Sequence, residues 1–133
     1  MASLLIIDDD ESIRSLLAQA MTHAGHTVRE AADGNKGLAL YRAEPSDIVL
    51  TDLVMPEKEG LATIMELRRE YPQVRIIAMS GGFAHDSRVY LHMAERLGAV
   101  RVLRKPFSLA ELETVIAEVH AGRGPVAKTP PPA

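Results

Sequence analysis

Cysteine is absent from this chain, so neither disulfides nor thiolate metal sites can hold its fold together. That suits a reducing compartment, and cytoplasmic localisation is the expectation. Long hydrophobic runs are missing too. The apolar start, Leu4-Leu5-Ile6-Ile7, meets three aspartates at once and lacks the basic flank of a signal peptide. Nothing approaches the roughly 20 apolar residues that span a bilayer, so membrane insertion is not expected. Nor is there a surplus of positive charge. Fifteen Lys and Arg stand against 18 Asp and Glu, scattered along the chain, which excludes a footprint for direct nucleic-acid binding. No Gly-rich phosphate loop follows the first apolar run, which argues against a nucleotide-binding domain.

What the chain does have is core material. Of its 133 residues 47% are hydrophobic, enough for one domain and too few for two ordinary ones. Short apolar runs at 4–7, 27–30, 48–50, 75–79 and 100–103 read as strands. Four are rich in Ile, Leu and Val with little alternation, as expected of strands covered on both faces. The run at 27–30 is polar enough for a sheet edge. Between them lie helical stripes: Ile13, Leu16, Leu17 and Ala20 before a stop at Gly25; a segment over 34–43; Leu61, Ile64, Met65 and Leu67; Val89, Met93 and Leu97 before Gly98; and Leu112, Val115, Ile116 and Val119 after the capping pattern Ser108-Leu109-Ala110-Glu111. This strict alternation predicts a doubly wound α/β domain, a five-stranded parallel sheet in the flavodoxin-like order 2-1-3-4-5. The domain is expected over 1–121, with 122–133 a disordered Gly/Pro-rich tail.

In open parallel sheets the functional crevice lies beyond the carboxyl ends of the strands. Immediately after the apolar runs stand Asp8, Asp9 and Asp10, then Thr51 and Asp52, then Ser80 and finally Lys105. Clustered carboxylates repel one another unless a cation intervenes, and an all-oxygen set suits a hard ion such as Mg²⁺. A phosphoryl group there would meet the metal, the Lys105 ammonium and the Ser80 hydroxyl. Asp10 reads as a helix N-cap. The histidines, His26 among them, read as surface or capping residues, and Arg68-Arg69 as a solvated face.

The motifs Ile6-Ile7-Asp8-Asp9-Asp10-Glu11, Leu50-Thr51-Asp52-Leu53-Val54-Met55-Pro56 with Gly60, Ile76-Ile77-Ala78-Met79-Ser80-Gly81 and Lys105-Pro106-Phe107 occur in order, each at a strand end. Over about residues 3 to 120 the chain thereby resembles the receiver domain of bacterial two-component response regulators, of the chemotaxis-regulator-like, stand-alone kind. The resemblance implies that Asp52 accepts a phosphoryl group from a histidine kinase or histidine phosphotransfer protein. It implies that Asp9 and Asp52 ligate Mg²⁺ with the backbone carbonyl of Val54, that Asp8 acts through a metal-bound water, and that Lys105 and Ser80 bind the phosphoryl oxygens. It further implies a cis Lys105-Pro106 bond, no enzymatic activity beyond the domain's own phosphorylation and dephosphorylation, and output to a downstream effector protein through the fourth helix and fifth strand.

Three departures stand out. Val102 occupies the place of the family's usual switching aromatic and lacks its inward and outward states. That points to output through the backbone after Ser80, or through Phe83 or Tyr90. The segment 80–105 is longer than usual and opens with Gly81-Gly82. Val54 and Gly82 cannot orient a hydrolytic water with their side chains, which predicts slow self-hydrolysis. Two other readings remain open at this stage. One is a receiver-like binding module that works without phosphorylation. The other, ranked last because Val54 stands where a general acid is needed, is a Mg²⁺-dependent phosphohydrolase.

Overall fold

Each apolar run is a strand: β1 (Ser3–Ile7), β2 (Thr27–Ala31), β3 (Ile48–Asp52), β4 (Ile76–Ser80) and β5 (Arg101–Arg104). They alternate with α1 (Glu11–His23), α2 (Gly34–Ala43), α3 (Gly60–Glu70), α4 (Ser87–Leu97) and α5 (Leu109–Gly122). The computed structural model describes residues 1–53, 60–80 and 87–122, with the backbone alone over 87–91. Val54, Gly81, Gly82 and Phe83 therefore lie outside the described residues, as do the Tyr90 side chain and the tail beyond Gly122. α5 runs one residue into the segment expected to be tail.

The sheet has the order β2-β1-β3-β4-β5 and every pairing is parallel. Successive strand residues point to opposite faces, and both faces are covered. On one side Leu5, Ile7, Val49, Ile76 and Ala78 pack against Leu38 and Tyr41 of α2, Ile64 and Leu67 of α3 and Ala94 of α4. On the other, Leu4, Ile6, Leu50, Ile77, Met79 and Leu103 meet Leu17, Ala18 and Met21 of α1 and Leu112, Ile116 and Val119 of α5. This two-sided burial is why the strand sequences lack alternation. β2 lies at the edge, and its polar character has a use. Arg29 reaches across to the carbonyl oxygens of Leu40 and Glu44 at the end of α2, adding a second donor to the Leu40 oxygen that the Glu44 amide already meets.

Helix ends obey their caps. Asp10 accepts from the Ile13 amide (3.1 Å), Asp33 from Lys36 (2.8 Å) and Ser108 from Glu111 (2.9 Å). Gly25 and Gly98 follow α1 and α4 with φ of 105° and 125°, left-handed conformations that favour glycine.

The helix stripes need correction. Leu16 is 57% exposed and Met65 52%, whereas Ala18 and Met21 are buried. Consecutive helical residues point about 100° apart. Helix α1 turns the 17/18/21 face to the sheet, so Leu16 swings outward however apolar it is. Arg68 is not solvated either: its guanidinium donates to the Pro72 and Gly98 carbonyls, tying α3 to the end of α4. His26 is a tertiary pin. Its Nδ1 accepts from the Ala2 amide (3.1 Å), and its Nε2 faces Glu113 of α5 at 3.4 Å.

Candidate functional site

Strand register brings the polar residues together. Ile7 pairs with Thr51, Asp52 with Met79, and Ser80 with Arg104. The carboxyl ends of β1, β3, β4 and β5 are thus level, and whatever follows them shares one small volume. Asp8 follows β1, Asp52 closes β3, Ser80 closes β4 and Lys105 follows β5. The Lys105 amide donates to the Ser80 carbonyl at 2.8 Å, extending the pairing to the lysine itself.

Carboxylate oxygens of Asp8, Asp9 and Asp52 lie within 4.8 Å of one another. Asp8 is fully buried, Asp52 is 7% exposed, and Asp9 opens to solvent. Lys105 balances the cluster from the side: its Nζ donates to Asp52 Oδ1 at 3.2 Å and Asp8 Oδ2 at 3.3 Å. The other Asp8 oxygen accepts from the Asp10 amide at 2.9 Å. Each Asp8 oxygen thus accepts one protein donor and Asp52 Oδ1 accepts another, while Asp9 is the exposed member of the cluster. An all-carboxylate oxygen cluster open on the Asp9 side suits a hard divalent cation. Asp10 turns away to cap α1, as its N-cap reading implies.

Burial and charge shift the two central groups. Burial raises the Asp52 carboxyl to about 6. Lys105 opposes that rise and Asp8 adds to it. For Lys105, burial acts downward, but Asp52 and Asp8 together outweigh it and the ammonium ends above its ordinary value. Lys105 thus stays charged at neutral pH, and Asp52 is largely ionised.

Gly60 holds the site from behind. Its amide donates to the Leu53 carbonyl at 2.9 Å, so the start of α3 presses on the end of β3. A Cβ on Gly60 would overlap the Asp52 carbonyl oxygen and lie 2.6 Å from the Leu53 Cα, both backbone atoms that cannot rotate aside. Gly60→Ala is expected to cost about 3 kcal/mol or more in urea unfolding and to disturb Asp52. A loss below about 1 kcal/mol would show that the backbone yields.

Sequence reasoning missed Arg14 and Glu30. Arg14 Nη1 donates to the Asp8 carbonyl at 2.9 Å, and its Nε pairs with Glu30 at 3.1 Å. Nothing local marks Arg14, because both partners come from other elements. A cavity of about 470 Å³ lined by Tyr41, Ser46, Tyr71, Val74 and Arg75 lies at the opposite, amino-terminal ends of β3 and β4, away from the acidic cluster. Among the described residues no helix is long and apolar enough to cross a membrane.

A family model described as the response regulator receiver domain matches residues 4–117. The chain belongs to the response regulator receiver family. Among curated relatives, it is 34% identical to the DNA-binding transcriptional regulator NtrC of Azospirillum brasilense over 97% of its own length and 26% of that protein. It is 35% identical to the sensor kinase CckA of Brucella abortus, covering 89% of this chain and 12% of CckA. It therefore spans about a quarter of the first relative and about an eighth of the second. The receiver domain of NtrX from Brucella abortus superposes with a TM-score of 0.83 at 27% identity, over 90% of this chain and 98% of that one. A CheY-like receiver from Methanospirillum hungatei gives 0.84 at 25%, over 93% and 97%. The receiver resemblance and the 2-1-3-4-5 sheet are both confirmed, and Lys105-Pro106 is cis as the resemblance implied.

Proposed function

We propose that this receiver domain is a phosphoacceptor switch in which Asp52 takes a phosphoryl group from a phosphohistidine on a histidine kinase or phosphotransfer protein. The observation that carries the reading is the Asp52 carboxylate itself. It sits at the end of a central strand, inside an acidic cluster, with the Lys105 ammonium 3.2 Å away. In the transfer an Asp52 oxygen bonds to phosphorus as the P–N bond to imidazole breaks, and the electron pair returns to the histidine nitrogen. Asp9 and Asp52, with the Val54 carbonyl, would hold Mg²⁺, and Asp8, buried and tied to Lys105 and the Asp10 amide, would act through a bound water as the family resemblance implies. When bound, that ion neutralises charge on the phosphoryl oxygens. Lys105 supplies a second positive charge, and Ser80 a hydroxyl from the end of β4. Positioning and charge are most of what phosphoryl transfer needs.

The domain acts in the cytoplasm as a regulator and not as a turnover enzyme. Phosphorylation biases the segment after Ser80 together with α4 and β5, changing a face read by an effector protein. Phosphorylation of the purified protein by acetyl phosphate, followed by intact mass, tests the reading. One phosphoryl adduct is expected, dependent on Mg²⁺. Its absence from wild type at every Mg²⁺ concentration would exclude a phosphoacceptor. That result would favour a module signalling through constitutive contacts. Val102, which pairs with Ala78 and packs half-buried against the core where the family has a mobile ring, supports that second reading.

A further inference from the structure

The turn that carries Asp8, Asp9 and Asp10 is fastened by more contacts than its capping role requires. Asp8 closes onto the Asp10 amide (2.9 Å), and Asp10 caps the Ile13 amide (3.1 Å). The Asp10 carbonyl accepts from the Arg14 amide (2.9 Å), and the Asp8 amide donates to the Ala31 carbonyl at the end of β2 (3.1 Å). Over this turn lies the Arg14 guanidinium. It donates to the Asp8 carbonyl at 2.9 Å, and its side chain is only 16% exposed. Glu30, on the edge strand, holds the Arg14 Nε at 3.1 Å and is itself 43% exposed.

We propose that Arg14, buttressed by Glu30, is a positioning residue that fixes the Asp8 backbone and so holds the Asp8 and Asp9 carboxylates ready for a divalent cation. The inference rests on the phosphoacceptor reading. Arg14 touches no reacting atom and acts through the Asp8 carbonyl. An arginine suits the task because its planar fork can grip a carbonyl and a carboxylate at once, which a lysine cannot do with the same geometry. Glu30 has a second effect. It neutralises a positive charge that would otherwise stand unpaired beside a cation site.

Two forces act with opposite signs here, which makes the test sharp. Coulomb's law alone says that removing a cation near the acidic cluster strengthens Mg²⁺ binding. Positioning says that removing Arg14 weakens it, because the carboxylates then lose the order that the guanidinium imposes. A tie that merely joined α1 to β2 would lower unfolding stability and leave the Mg²⁺ response unchanged.

The experiment is a Mg²⁺ titration without phosphodonor, followed through the backbone amide resonances of Asp8, Asp9 and Asp10. It compares wild type, Arg14→Gln, Arg14→Lys and Glu30→Gln, with urea unfolding measured for each. Arg14→Gln is expected to raise the half-saturating Mg²⁺ concentration about tenfold, in the range found when groups that orient metal ligands are removed. Arg14→Lys should recover part of that loss, since its ammonium can still reach the Asp8 carbonyl. Glu30→Gln should give a smaller rise. Acetyl phosphate reactions should shift along the Mg²⁺ axis by the same factor, with the rate at saturating Mg²⁺ retained. An unchanged or lower half-saturation in Arg14→Gln overturns the inference while wild type still binds Mg²⁺ and is phosphorylated. If wild type shows no Mg²⁺ response, the proposed function falls with it. Should Arg14→Gln fail to fold, wild-type half-saturation in both Arg14→Lys and Glu30→Gln overturns the inference equally.

Discussion

Asp52→Asn is expected to abolish the Mg²⁺-dependent phosphoryl adduct and, at the same time, to make the metal-free protein more stable at pH 7. The first effect follows from chemistry, because a carboxamide oxygen is a poor nucleophile and cannot form the acyl phosphate. The second follows from burial. The Asp52 carboxyl titrates at about 6 in the folded chain against an ordinary 3.8. Between those values the folded state holds more of the Asp52 proton than the unfolded state, so the Asp52 contribution to stability falls as pH rises from about 4 to about 6 and then levels off. Asparagine removes that fall. The gain at pH 7 should be about 1–2 kcal/mol, which allows for solvent screening at the open side of the site. Lys105 is not stranded by the change, because Asp8 remains its partner at 3.3 Å. Urea unfolding in EDTA at pH 4 and pH 7 checks this. The gain of the variant over wild type should be larger at pH 7 than at pH 4, and an Asp52→Asn protein no more stable than wild type at pH 7 would contradict the burial argument.

Lys105→Ala should lower the phosphorylation rate by about 10²- to 10³-fold at saturating Mg²⁺, the cost of removing one fixed charge from a site where negative charge is being transferred. It also leaves Asp8 and Asp52 without their shared cation. Three carboxylates within 4.8 Å then repel one another unscreened, and the metal-free fold should weaken. The cost shrinks across a double mutant. In the Asp52→Asn background one carboxylate is already gone, so deleting Lys105 should cost less than it does in wild type, a coupling that a double-mutant cycle reads directly. Because the Lys105 ammonium is raised by its partners, its contribution is present below its ordinary pKa and is lost as pH climbs through the raised value. Equal costs of the lysine deletion in both backgrounds would mean that Lys105 and Asp52 do not interact as the 3.2 Å contact implies.

The site was easier to read from the sequence than the helix faces were. Asp8, Asp52, Ser80 and Lys105 each stand at the end of an apolar run, and a parallel sheet with level carboxyl ends gathers such positions by geometry alone. The glycine at 60 was marked by its spacing from Asp52; its reason, contact with the Asp52 and Leu53 backbone, needed coordinates. Leu16 and Met65 are apolar yet face outward, because each points away from the sheet while its neighbour in sequence, Leu17 or Ile64, is buried. Arg14, Arg68 and His26 were invisible for another reason. Their partners are backbone groups and side chains supplied by other parts of the fold, and no local pattern encodes a backbone group that folding brings close. Val54, Gly82 and Phe83, on which the self-hydrolysis and output expectations turn, lie outside the described residues.

The central claim is that Asp52, and no other carboxylate of the cluster, carries the phosphoryl group. Borohydride reduces an acyl phosphate to the alcohol, which converts the acceptor aspartate to homoserine and marks it permanently. Phosphorylating the wild-type chain with acetyl phosphate and Mg²⁺, reducing it and mapping the product by peptide mass spectrometry locates the acceptor. Homoserine at position 52, and unmodified aspartate at positions 8 and 9, is the predicted result. Homoserine at Asp8 or Asp9, or reduction that leaves every aspartate intact, would contradict the account.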